Sequence, residues 1–182
     1  MKFFAGRTHV AIDGANMAAT LRSISLEVDY RRLRTLVEKD CDVLRFAYYT
    51  ALPDDNEASR IRPLVDFLDY NGYAVATKPT KTQTGADGVR RTKGNMDIEI
   101  AVDAMELVPF FDNLVLFSGD GDFAPLVRAV QRKGKRVTVV CTTRGPQPVM
   151  ADELRRAADR FVDYEEIRAE IARDATSPAR AA

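Results

Sequence analysis

The chain has 182 residues, which suits one domain, and is 46% hydrophobic and 30% charged, which excludes general disorder. Its 27 basic and 27 acidic residues cancel, so any contact with nucleic acid must come from a local patch rather than a global basic field. Two distant cysteines, one histidine at the start of a strand and no apolar run near ~18 residues argue against a disulfide framework, a zinc site, a His-dependent triad and a membrane span. A reducing cytoplasm fits this composition, and the opening MKFFAGRTH turns polar too soon for a signal peptide.

His9-Val10-Ala11-Ile12 reads as a central strand ending at Asp13, followed by a turn and a short helix from Met17. Asp29 is expected to cap a helix over 30–39, with Leu33, Leu36 and Val37 as its apolar stripe. Residues 43–49 form the second predicted strand. A helix over 57–70 follows turn chemistry at 53–56 and closes in a left-handed cap at Asn71-Gly72. The third strand covers 73–77. Residues 78–92 are polar, turn-rich and basic, and read as a loop or flexible hairpin, either a solvated excursion or a flap that touches nucleic acid. A strong helix over 98–108 is opened by Asp97 and ended by Pro109. The fourth strand is Leu114-Val115-Leu116-Phe117, and a helix from Asp122 or Phe123 runs to Lys133, where Gly134 stops it. The fifth strand spans 136–141, a helix 148–158, a short sixth strand Phe161-Val162, and a last helix 164–173. The expectation is one domain over 1–173 and a disordered tail at 174–182.

Strands alternating with helices imply a three-layer α/β fold with a mostly parallel sheet. Such sheets bind ligands outside the carboxyl ends of their strands, where strand order reverses. Asp13 and Asp120 follow strands, Asp122 lies two residues on, and Asp97 opens a helix leading into the fourth strand. All four fall on one predicted rim. Carboxylates crowded together repel unless a cation neutralises them. An all-aspartate set without His or Cys suits Mg²⁺ or Mn²⁺ better than zinc, so the four acids are read as both metal ligands and catalytic groups. Each also has a structural reading: Asp13 as a turn residue, Asn16 as a helix cap, Asp97 as an acid favoured by the helix dipole, Asp122 as an N-cap. If Asp122 caps, Asp120 is the hardest to explain structurally. Asp103 lies six residues beyond Asp97, roughly 240° round a helix, and so belongs to a different face.

VAIDGANM, KGNMDIEIAVDAM and SGDGDFAPLVRAVQRKGKRVTVV, in that order on an α/β frame, resemble the NYN domain family, in particular its bacterial LabA-like (DUF88) branch of the PIN-like superfamily. The likeness covers about residues 7–165. It implies a Rossmann-like sheet of order 3-2-1-4-5 and a metal-dependent ribonuclease activity. By position, Asp13, Asp97, Asp120 and Asp122 match the family's acids, and Asn16 matches the Asn of its D-x-x-N signature. Asp103 matches the later acid of the helix. Asn16, Asp103 and Ser118 are placed behind the acids as supporting residues. Gly121 stands where the family carries a serine, which removes a hydroxyl but keeps both carboxylates.

For an RNA substrate, Lys78, Lys81, Arg90, Arg91 and Lys93 are the expected phosphate grips, with sequence-independent, salt-sensitive contacts. Tyr48 and Tyr49 could stack on bases, though at least one must turn into the core. The basic run Arg128, Arg132, Lys133, Lys135 and Arg136 reads as a solvated helix end. Two other readings stay open: an RNA- or protein-binding regulator that keeps the fold with little catalysis, and a metal phosphatase of small molecules. Oligomeric state is not legible, a homo-oligomer included.

Overall fold

The computed structural model describes residues 6–52, 58–84, 90–145 and 149–174, with backbone alone at 58–60, 81–84 and 90–93. Residues 175–182 of the predicted tail and the turn at 53–56 lie outside the described residues, while Asp174 is ion-paired with Arg32. β1 (Arg7–Asp13) is central, with α1 (Gly14–Ser23), α2 (Tyr30–Asp40), β2 (Asp42–Leu52), α3 (Ala58–Tyr70) and β3 (Ala74–Pro79) following. Then come β4 (Lys81–Thr84), β5 (Arg90–Lys93), α4 (Asp97–Leu107), β6 (Asn113–Phe117), α5 (Ala124–Arg132), β7 (Arg136–Cys141), α6 (Asp152–Ala157), β8 (Arg160–Asp163) and α7 (Tyr164–Ile171).

Six strands form one parallel sheet of order β3-β2-β1-β6-β7-β8. This is the expected three-layer α/β architecture with its short sixth strand in place on the edge. Alternation along the buried strands sends side chains to two separate cores. Val10, Ile12, Val115 and Phe117 pack with helices α1, α2 and α7 on one face. Ala11, Leu114, Leu116 and Val139 pack with α4, α5 and α6 on the other. Each fully buried aliphatic contributes on the order of 1.5–3 kcal/mol, and the strand centres are completely enclosed. As predicted, Asp29 caps α2, accepting from the backbone of Arg31 and Arg32. Gly72, at φ +78°, supplies the left-handed residue after α3.

Two expectations change, and one open alternative is decided. No turn separates β1 from its helix: Asp13 itself caps α1, its carboxylate accepting from Asn16 N at 3.1 Å, so the helix starts at Gly14. The segment at 78–92 takes the hairpin form of its loop-or-hairpin reading: it first extends β3 to Pro79. It then forms an antiparallel ribbon, β4 on β5, with Lys81 opposite Lys93 and Gln83 opposite Arg91. The helix expected over 148–158 begins only at Asp152. Residues 146–148 lie outside the described residues, and Ala151 is held extended because its N–H donates to Gly119 O at 2.9 Å.

Candidate functional site

The sheet order reverses between β1 and β6, which are parallel neighbours. Their carboxyl ends therefore open the crevice in which such sheets bind ligands. β1 delivers Asp13 there. β6 runs straight into Ser118, Gly119 and Asp120, and a 3-10 turn over Gly121–Phe123 carries Asp122. α4 crosses back over the sheet and starts at this same rim with Asp97.

Carboxylate oxygens of Asp97, Asp120 and Asp122 all lie within 4.8 Å of one another, and these three form the one such group of potential metal-binding side chains among the described residues. Asp122 is exposed, and Asp97 and Asp120 are half-buried. Asp13 lies outside the group of three. It is only 7% exposed, and each of its oxygens accepts a hydrogen bond, from Asn16 N at 3.1 Å and from Ser118 Oγ at 3.2 Å. It remains within electrostatic reach: burial first, then Asp120, Asp13 and Asp122, push the Asp97 carboxyl up to about 6, with Lys78 opposing. Burial likewise raises Asp13, against the hydrogen bonds from Asn16 and Ser118. Acids that resist ionisation this way are the state a cation relieves.

The assignment of caps is the reverse of the expected one. Asp120, not Asp122, caps the turn after β6, accepting from Asp122 N at 3.0 Å. The short Ser118-Gly119 step leaves Asp120 in extended backbone, the conformation an N-cap needs. Asp122 then sits inside the turn with its carboxylate pointing to Asp97 and Asp120.

Ser118 Oγ donates to Asp13 and accepts from Asp120 N at 3.2 Å. Asn16 Oδ1 accepts from Gly119 N at 2.9 Å. Asp103 is elsewhere: it accepts from Tyr49 Oη at 2.9 Å, under the α4 face of the sheet. Tyr48 and Tyr49 are 3% and 0% exposed, so neither can stack on a base. Both side chains enter the core because the central strand β2 is covered on its two faces. Lys78 Nζ reaches both oxygens of Glu99 at 2.8 Å and so is half-neutralised beside Asp97. The side chains of Lys81, Arg90, Arg91 and Lys93 lie outside the described residues; their backbone forms the ribbon that leads to Asp97. The run from Arg128 to Arg136 lies away from the acids, at the end where β7 begins, with Arg128 on Glu153 and Lys135 on Asp112.

Two features escaped the sequence reading. Asn95 donates from Nδ2 to Asp97 Oδ2 at 2.6 Å, a polar residue two positions ahead of an acid in a turn, which is a legible signal in hindsight. The other is the strap 149–151. A Cβ on Gly119 would stand 2.0 Å from Val149 O and 2.7 Å from Cys141 Sγ, and one on Gly121 would stand 3.2 Å from Ala151 Cβ. No local pattern announces that contact.

The NYN domain model matches residues 7–166. The chain belongs to the NYN domain family. That family is part of the PIN-like nuclease superfamily. Low amplitude and bright protein LabA of Synechococcus elongatus is 33% identical over 94% of this chain and 90% of its own length. An uncharacterized protein of Methanocaldococcus jannaschii is 38% identical over 36% of this chain and 27% of its own. A crystal structure of a protein of unknown function from Vibrio parahaemolyticus superposes with TM-score 0.72 at 26% identity, over 90% of this chain and 95% of that one. No helix among the described residues is long and apolar enough to cross a membrane.

Proposed function

We propose that this NYN domain is a divalent-metal-dependent endoribonuclease of the cytoplasm, acting on single-stranded or structured RNA. The observation that carries it is the trio of carboxylate oxygens of Asp97, Asp120 and Asp122 at the strand-order switch. The donor set fits the ion: three hard oxygens, no imidazole or thiolate, and an Asp97 carboxyl that burial first and the neighbouring acids second raise to about 6. Asp97, Asp120 and Asp122 would hold Mg²⁺ or Mn²⁺, and Asp13 would complete the negative field from behind. The ion, when bound, activates water and neutralises charge on the scissile phosphate. Below about pH 6 Asp97 would have to lose a proton for the site to fill, and Asn95 fixes the orientation of its carboxylate. Ser118, Asn16 and the cap made by Asp120 hold the loop that presents two of the three oxygens. Lys78 and the basic residues of the ribbon, Lys81, Arg90, Arg91 and Lys93, would grip the backbone without reading sequence.

One observation favours the second reading, a regulator that binds RNA or protein and seldom cuts: Lys78, whose charge opposes the rise at Asp97, is engaged by Glu99.

The deciding assay uses purified protein, labelled single-stranded RNA, Mn²⁺ or EDTA, and Asp120→Asn, which keeps a capping side chain. Cleavage that needs metal and is lost in the variant is expected. Cleavage surviving EDTA sinks the proposal. RNA retained uncut supports the regulator, and release of phosphate from small phosphoesters alone supports a phosphatase.

A further inference from the structure

The peptide of Gly119 is gripped on both sides. Its N–H donates to Asn16 Oδ1 at 2.9 Å, across 103 residues of sequence. Its carbonyl accepts from Ala151 N at 2.9 Å. Its Cα faces Val149 O and Cys141 Sγ so closely that no side chain fits. Asn16 is held in turn: its own N–H goes to Asp13 Oδ1, and Thr20 Oγ1 approaches its Oδ1 at 3.4 Å. Asp13 closes the circuit through Ser118 to the backbone of Asp120. The acids at Asp120 and Asp122 thus hang from a peptide fixed one residue upstream.

We infer that Asn16 is a positioning residue: through the amide of Gly119 it sets where Asp120 and Asp122 stand relative to Asp97, and so the cation affinity of the site. This rests on the metal site proposed above. Asn16 touches no acid of the trio through its side chain; it acts by pinning the loop that carries two of them. An amide oxygen on the first turn of α1 reaches the β6 loop, and a side chain with an acceptor at the same position, aspartate, would reach it as well. Alanine would not. Partners one layer out from a metal commonly change affinity by about 10–100-fold when removed, because ligands must otherwise be ordered at the moment of binding.

The test measures Mn²⁺ binding by isothermal titration, Gly119 amide exchange in the metal-free protein, and melting, for wild type, Asn16→Ala and Asn16→Asp. The expected result is that Asn16→Ala exchanges its Gly119 amide at least about tenfold faster and binds Mn²⁺ about 10–100-fold more weakly. Amides of β1 and β6 keep their protection, and Asn16→Asp restores both properties to within about threefold. A merely structural role would lower melting, loosen amides across the sheet and leave the affinity of the folded fraction unchanged, and that overturns the inference. Unchanged Gly119 exchange in Asn16→Ala also overturns it. If wild type binds no Mn²⁺, the metal site fails, and the inference about affinity with it, while Gly119 exchange still shows whether the clamp exists.

Discussion

Asp97 opens α4 in the company of three other carboxylates, and its titration has a sign. Its folded pKa of about 6 lies above the ordinary aspartate value. Between about 4 and 6 the folded, metal-free chain therefore binds more protons than the unfolded chain, and stability falls as pH rises through that window. Two outcomes are expected. Apparent Mn²⁺ affinity weakens about tenfold per pH unit below about 6 and is flat above it. Asp97→Asn raises the metal-free melting temperature at pH 7.5 by roughly 2 °C, the side chain being partly solvated, and abolishes the rise that Mn²⁺ gives wild type. Differential scanning fluorimetry with EDTA and with Mn²⁺ checks the second. His9 works the other way. It is fully buried against Phe111, its ring nitrogens meet no hydrogen-bond partner of normal geometry, and burial lowers its pKa to about 4. Below the unfolded value of 6.5 only the unfolded chain takes the proton, so stability is lost as pH falls from 6.5 toward 4. Urea melts at pH 7 and pH 5 should show a loss of about 2 kcal/mol for this residue in wild type, absent in His9→Phe.

At the scale of elements, the loop after β6 and the strap 149–151 are one unit. Gly119→Ala sets a methyl against a backbone carbonyl and should cost about 3 kcal/mol in urea denaturation. Gly121→Ser asks Ala151 to yield by only a few tenths of an ångström and should cost less than about 1 kcal/mol. Equal costs would mean that the strap does not hold Gly119 as described. The same unit shows what a sequence can and cannot reveal. The strands were legible because His9–Ile12, Leu114–Phe117 and Val137–Val140 are apolar on both faces, which only a covered parallel strand requires. The rim positions of Asp13, Asp97 and Asp120 followed from that alternation and from the resemblance. The start of α6 did not follow, because Ala151 is drawn away from its helix by a carbonyl 32 residues earlier in the chain. Tyr48 and Tyr49 misled for the same reason: alternation says that one faces each way, and only the packing of α4 shows that neither way leads to water. Asp120 lacked a structural role beside Asp122 until the step at Ser118-Gly119 moved the cap two residues back.

For the molecule as a whole, net charge is zero, so the RNA of the proposed reaction would have to be held by a local cationic field against an acidic site. Association should depend on salt with a log–log slope of about −3 for single-stranded RNA, given five basic side chains of which Lys78 is already engaged. Filter binding between 50 and 300 mM salt measures it. A slope near zero would remove the ribbon from the account of substrate binding.

The pairing of β1 with β6 has a further consequence, for timing. Asp13 and Ser118 are joined across 105 residues, and β2, β3 and the ribbon are all made in between. A chain emerging from the ribosome carries Asp13 early and Asp97 later, yet no trio of oxygens until the segment through Asp122 has emerged and paired with the first strand. Because the closing contact spans 105 residues, it comes well into synthesis and is slow to form. If the proposed nuclease activity holds, the site stays unarmed through most of the chain's own translation, while the nearest RNA is its own message.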